Sequence, residues 1–174
     1  GHNASGQLGD GTNNLRTSPV PVAGLLGVVA LHAGDEFTCA LTDKGEVLCF
    51  GAGNYGQLGQ GANQGSLLPV KVALTEGVTG LGGGQMHACA LGKSGAVWCW
   101  GRGAVGQLGD GATQNRNKPV QVQGQSGAVA VVGGSLHTCA QRGDATVRCW
   151  GNNSTSRLGR VAPAQSAVPL VVPS

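Results

Sequence analysis

Residues 36–50 read Glu36-Phe37-Thr38-Cys39-Ala40-Leu41-Thr42-Asp43-Lys44-Gly45-Glu46-Val47-Leu48-Cys49-Phe50. Two β-rich runs flank Asp43-Lys44-Gly45, a three-residue loop with glycine where φ > 0 is needed, and this is the pattern of a β-hairpin. Folding the chain about Lys44 sets Leu41 opposite Val47, Ala40 opposite Leu48, Cys39 opposite Cys49 and Thr38 opposite Phe50. Side chains alternate along each strand. One face therefore carries Cys39, Leu41, Val47 and Cys49, the other Ala40, Leu48 and Phe50. Both faces are apolar, so the hairpin must be sandwiched between neighbours.

The neighbours are copies of itself. Gly6-Gln7-Leu8-Gly9, Gly56-Gln57-Leu58-Gly59 and Gly106-Gln107-Leu108-Gly109 recur every 50 residues, and Ser156-Arg157-Leu158-Gly159 is a decayed fourth copy. Pro19, Pro69, Pro119 and Pro169 keep the same period, which marks one supersecondary unit repeated without insertion. Upstream of each hairpin lies a small-aliphatic run, Val28–Leu31, Val78–Leu81 and Ala128–Val132, suited to the crowded innermost strand of a radial sheet. The Pro-Val-x-Val segments suit an outermost strand, because proline is tolerated at a sheet edge. Four strands per unit make an all-β propeller blade. The units read as an outer strand and loop over 1–27, then blades over 28–72, 78–122 and 128–172. Three blades are fewer than the ~4–8 of closed propellers, so the expectation is a partial propeller, completed by further repeats or by further copies of the chain.

Composition agrees with stacked, two-sided sheets. The 174 residues include 33 glycines, and only 11% are charged against a usual ~25%. The net charge of +3 is too small to imply nucleic-acid binding, and no apolar run approaches the ~18 residues of a membrane-spanning helix. Charge is unevenly spread: residues 1–100 hold four basic and six acidic side chains, residues 101–174 seven and two. That asymmetry would suit head-to-tail assembly. No signal peptide is visible, and Gly1 stands in register with Gly51 and Gly101, so the sequence reads as a mature or excised piece.

From Gly51 to Leu91 the pattern is Gly-x-Gly-Asn-x-Gly-Gln-Leu-Gly-x-Gly, then Pro-Val-x-Val, then Gly-Gly-Gly-x-x-His-x-Cys-Ala-Leu, and Val97-Trp98-Cys99-Trp100-Gly101 follows. Across essentially the whole chain this resembles the regulator of chromosome condensation (RCC) repeat, in a bacterial-type form with a cysteine pair in each unit. The resemblance implies a β-propeller, seven-bladed in the family. It also implies a choice of roles. Relatives include a secreted bacterial inhibitor of β-lactamases, and the eukaryotic founder exchanges nucleotide on a small GTPase and docks on chromatin. The motif histidine is present as His87 and His137 but is Phe37 in the first unit. In the third unit Gln141 and Arg148 replace apolar residues, which predicts a more polar exposed side on that blade.

The six cysteines form three opposed pairs, predicting disulfides Cys39–Cys49, Cys89–Cys99 and Cys139–Cys149. Such cystines belong in an oxidising compartment, hence a secreted or surface protein. His87 and His137 occupy one repeat position and read as hydrogen-bonded structural residues within each blade. No pattern of nucleophile, base and acid appears, so no catalytic residue, metal ligand or cofactor is expected. Asn3-Ala4-Ser5, Asn152-Asn153-Ser154 and Asn153-Ser154-Thr155 match the N-glycosylation sequon and would mark exposed loops. The segments around each Gly-Gln-Leu-Gly vary most between copies. Tyr55, Arg102, Arg116 and Lys118 are the side chains there best suited to anchor a protein partner. The functional expectation is a non-catalytic interaction module or scaffold. A GTPase regulator or inhibitor, and a structural subunit of a ring or filament, are the alternatives.

Overall fold

The computed structural model describes residues 1–173 and is all-β. Three four-stranded antiparallel sheets follow one another along the chain. The first holds β1 (Val28–Ala33), β2 (Phe37–Thr42), β3 (Val47–Gly51) and β4 (Ser66–Lys71). The second holds β5 (Val78–Gly83), β6 (His87–Gly92), β7 (Val97–Gly101) and β8 (Arg116–Gln121). The third holds β9 (Ala128–Gly133), β10 (His137–Arg142), β11 (Val147–Asn152) and β12 (Gln165–Val171). In each sheet spatial order follows chain order, and β1, β5 and β9 lie next to one another as the innermost strands of successive blades.

The hairpin register is as the sequence predicts: Cys39 opposes Cys49, Ala40 opposes Leu48, and Thr38 opposes Phe50. The turn closes through the Thr42 amide on the Glu46 carbonyl at 2.9 Å, with Gly45 at φ 76°. All three predicted disulfides are formed, with Cα atoms 4.0–4.1 Å apart. The outer strands begin earlier than proline suggests. Each opens three residues before it, at Ser66, Arg116 or, one residue earlier still, Gln165, because the chain already pairs with Gly51, Gly101 and Asn152 there. Pro19–Val22 stands at the matching place in the first unit. It has no strand to pair with and joins no sheet.

The core lies between blades. Phe37, Cys39, Leu41, Val47 and Cys49 of blade 1 pack on Val78, Ala88, Ala90 and Trp100 of blade 2. Cys89, Leu91, Val97 and Cys99 repeat the contact on Ala128, Val131, Ala140 and Trp150 of blade 3. The cystine faces of blades 1 and 2 are thus covered by the blade that follows. Gln141, at the position of Leu41 and Leu91, is exposed on the outward cystine face of blade 3. Arg148 does not share that face. It opposes Ala140 across the hairpin and donates to the Gly124 carbonyl at 2.9 Å, so only Gln141 makes the outward side more polar.

Candidate functional site

The loops after β3 and β7 are latches onto the following blade. In the loop from Gly51 the Gln57 carbonyl accepts the Trp100 indole N–H of blade 2 at 2.9 Å, and Leu58 is fully buried. The Gln107 carbonyl accepts both the Trp150 indole at 3.0 Å and the Thr138 hydroxyl at 2.9 Å. Gln57 and Gln107 side chains turn back to accept the amides of Tyr55 and Val105. The Gly-Gln-Leu-Gly motif is therefore spent on holding blades together. Gly59 and Gly109 complete it, since a Cβ on either would stand 2.8–2.9 Å from Trp100 or Trp150.

The motif histidine of blade 2 also acts between blades, not within its own. His87 is buried, and its Nε2 lies 2.8 Å from the Thr138 hydroxyl of blade 3. That hydroxyl spends its single hydrogen on the Gln107 carbonyl, so His87 must be the donor, with a hydrogen on Nε2. Burial pushes the imidazole down to about 3, with His32 and His137 adding repulsion. His137, at the equivalent place on blade 3, is half-buried and likewise lowered, first by burial and then by Arg157. Thr138 was the residue missed in sequence. Its signal was present one repeat out of phase: Phe37 faces Ala88, whereas His87 faces Thr138.

Of the four predicted anchors, the structure brings two together. Arg102 lies over the Tyr55 ring, 5.5 Å from its centroid, and reaches Met86 Sδ at 3.6 Å. Tyr55 comes from the loop of blade 1, whereas Met86 and Arg102 come from blade 2; all three are half-buried. Arg116 and Lys118 are not in a loop but on the outer strand β8, because pairing with Gly101 starts at Arg116. Arg116 is bound to Asp110 at 2.7 Å. Lys118 is exposed and lies across Gly61 of the same latch loop.

Two of the three sequon asparagines do not lie at exposed sites. Asn3 and Asn153 are buried. The Asn3 amide nitrogen donates to the Thr12 and Asn14 carbonyls and to Asp10, while its oxygen accepts the Leu8 amide at 2.9 Å. Asn153 does the same with Arg160, Pro163 and Leu158. They brace loops from inside and do not mark exposed sites. Glu76 is another loop brace missed in sequence: its carboxylate accepts the Trp98 indole at 2.7 Å, which holds it below the usual carboxylate range.

Among the described residues no group of three or more His, Cys, Asp or Glu is placed to hold a metal ion. Over residues 1–41, 44–91 and 94–141 the sequence matches the regulator of chromosome condensation (RCC1) repeat, and residues 28–57 match a second model of that repeat. The chain belongs to the RCC1-repeat family. No curated protein matches it in sequence. Among solved structures it is similar to yeast RCC1 (Prp20) in complex with Kap60, with TM-score 0.84 at 18% identity over 98% of this chain and 43% of that one. It is equally similar to human WBSCR16, with TM-score 0.84 at 25% identity over 98% of this chain and 46% of that one. Prp20p from Saccharomyces cerevisiae, described with its binding to Gsp1p and histones, gives 0.84 at 19% over 97% and 44%. This RCC1-repeat chain spans less than half the length of those propellers, and at such identities the likeness to the yeast protein establishes the fold alone.

Proposed function

We propose that the chain is a non-catalytic protein-interaction module of an oxidising, extracytoplasmic compartment. Its contact surface is the latch-loop side of blades 1 and 2. The observation that carries this reading is the Tyr55–Arg102–Met86 cluster, an aromatic, a cation and a thioether from two blades gathered on a rigid, cystine-stapled base. Aromatic and arginine side chains anchored this way lose little freedom on binding and are the residue types that dominate interface energies. The yeast protein to which the chain is similar binds proteins: it is bound by Kap60 in one structure and binds Gsp1p and histones. Three disulfides argue for different partners here, since such bonds persist in oxidising compartments and not beside nuclear proteins.

A photo-crosslinking amino acid placed at Tyr55 tests this in the native secreted or surface fraction, with the same probe at Asp144 on the opposite edge as control. Discrete crosslinked protein products from Tyr55 that vanish with Arg102→Ala support the reading. Equal products from both positions, or none from either, overturn it.

A further inference from the structure

We propose that the array is directional: blade 1 presents a socket for one further unit of the same repeat, bearing histidine at the position of His87, while blade 3 ends the array. The two outward faces differ in how they match the contacts already made inside the chain.

On the blade 1 side the missing contact can be read from its copies. Val78 is 4% exposed and Val131 is 6% exposed, because each faces a preceding blade. Their equivalents Val28 and Leu31 are 39% and 64% exposed. The polar part of the socket is in place too. Thr38 donates to the Gln7 carbonyl at 2.9 Å, just as Thr138 donates to Gln107, which leaves its lone pairs aimed where His87 meets Thr138. Blade 2 breaks this pattern consistently, with Ala88 set against Phe37, a ring that has no hydrogen to give. A threonine at position 38 therefore calls for histidine on its neighbour. The latch is also already seated: the Gly11 amide donates to the Leu67 carbonyl at 3.1 Å, as Gly61 does to Asn117 and Gly111 to Ala167.

The fourth latch cannot seat in the same way. Its first half keeps the fold, with Ser156 and Gly159 amides closing the same turns as Gly6 and Gly9. At Gly6, Gly56 and Gly106 a Cβ would stand 3.0, 2.5 and 2.6 Å from the Cα of Leu67, Asn117 and Ala167 on the following outer strand. Ser156 carries that Cβ. Gly11, Gly61 and Gly111 make their bond to the outer strand at φ 80–98°, whereas Val161 replaces them, lies outside the left-handed region and is 90% exposed. Gln141 in place of leucine removes apolar cover from the same face. A second copy of this chain does not fit either open face. Its fourth latch would need the place on blade 1 that residues 6–11 already hold.

Two grafts test the direction. A copy of residues 78–100 set immediately before Gly1 supplies three strands, and Pro19–Val22 is then in register to be the fourth. The expected result is a Tm several degrees higher, slowed amide exchange at Leu31 and around Val20, and loss of most of the gain when the grafted histidine is replaced by phenylalanine. A copy of residues 123–172 set after Val172 is expected to leave Tm unchanged until Ser156→Gly and Val161→Gly are added. Equal gains from both ends, or a gain only at the C-terminal end, overturn the proposal. On the ungrafted chain an apolar dye such as anilinonaphthalene sulfonate gives a second measure. Its binding should be lost with Leu31→Lys and kept with Gln141→Lys; the reverse, or a head-to-tail oligomer by light scattering, overturns the proposal as well.

Discussion

The Nε2 of His87 and the Oγ1 of Thr138 meet at 2.8 Å across the boundary between blades 2 and 3, and both groups are buried. Burial, not this bond, favours the neutral imidazole, since the charged ring would donate from Nε2 as well. Its free value of 6.5 falls to about 3 in the fold, so between those values the unfolded chain binds the extra proton. Stability is fully present above about pH 6.5 and is lost as pH falls toward 3. His32 and His137, both lowered by burial, add in the same direction. Thermal melts from pH 8 to pH 4 should show a plateau and then a decline. The double variant His87→Phe/Thr138→Ala, which rebuilds the Phe37–Ala88 pair, should flatten much of that decline. Thr138→Ala alone leaves the histidine donor and the Gln107 carbonyl short of a partner and should cost about 1–3 kcal/mol. A double variant as pH-sensitive as the parent would remove the argument.

The three disulfides are not equally shielded. Cys39, Cys49, Cys89 and Cys99 have no exposed surface, whereas Cys139 on the outward face of blade 3 is half-buried. Thiol attack needs access to sulfur. Brief treatment with reductant under native conditions, followed by alkylation and mass spectrometry, should therefore label Cys139 and Cys149 first. Uniform labelling of all six cysteines would contradict it.

How much of this was legible follows from where the information lies. The hairpin, its register and its cystines were readable because a strand's alternation and a three-residue turn are local. The same was true of the inner and outer strands, which their aliphatic and proline-bearing runs announced. What local pattern could not supply was which unit each side chain serves. His87 looked intrablade because Thr138 lies 51 residues away, and Asn3 looked like a surface acceptor because its loop wraps back over it. Arg116 was misplaced for a related reason: the strand starts where Gly101 pairs, and no proline marks that point. Tyr55 and Arg102 stand 47 residues apart, and no local pattern joins them. Only packing of two blades made them neighbours.

Asn3 and Asn153 should stay unmodified in the folded protein, since each amide nitrogen is buried and bonded to loop carbonyls. Asn3→Ala removes an internal brace and leaves those carbonyls unpaired, so a loss of about 1–3 kcal/mol is expected from denaturant titration. Asn152→Ala, at a half-buried position, should cost less. Comparable losses would mean that the Asn3 loop is held by something else.

The third hairpin turn carries a conflict that the first two avoid. Gly45 and Gly95 occupy the left-handed region at φ 76° and 78°, and Ala145 takes the same place at φ 66°. A Cβ in that conformation costs roughly 1–2 kcal/mol, partly recovered because alanine restricts the unfolded chain by ~0.4–1 kcal/mol relative to glycine. The difference favours glycine. Ala145→Gly is therefore expected to raise stability by up to about 1 kcal/mol, opposite in sign to the usual effect of adding glycine to a chain. Replacing Ala145 by valine should do the reverse and cost more, since a β-branched side chain fits the left-handed region worst. Urea titrations of the two variants beside the parent give the comparison, and a destabilised Ala145→Gly would show that the turn relaxes out of the left-handed region in solution.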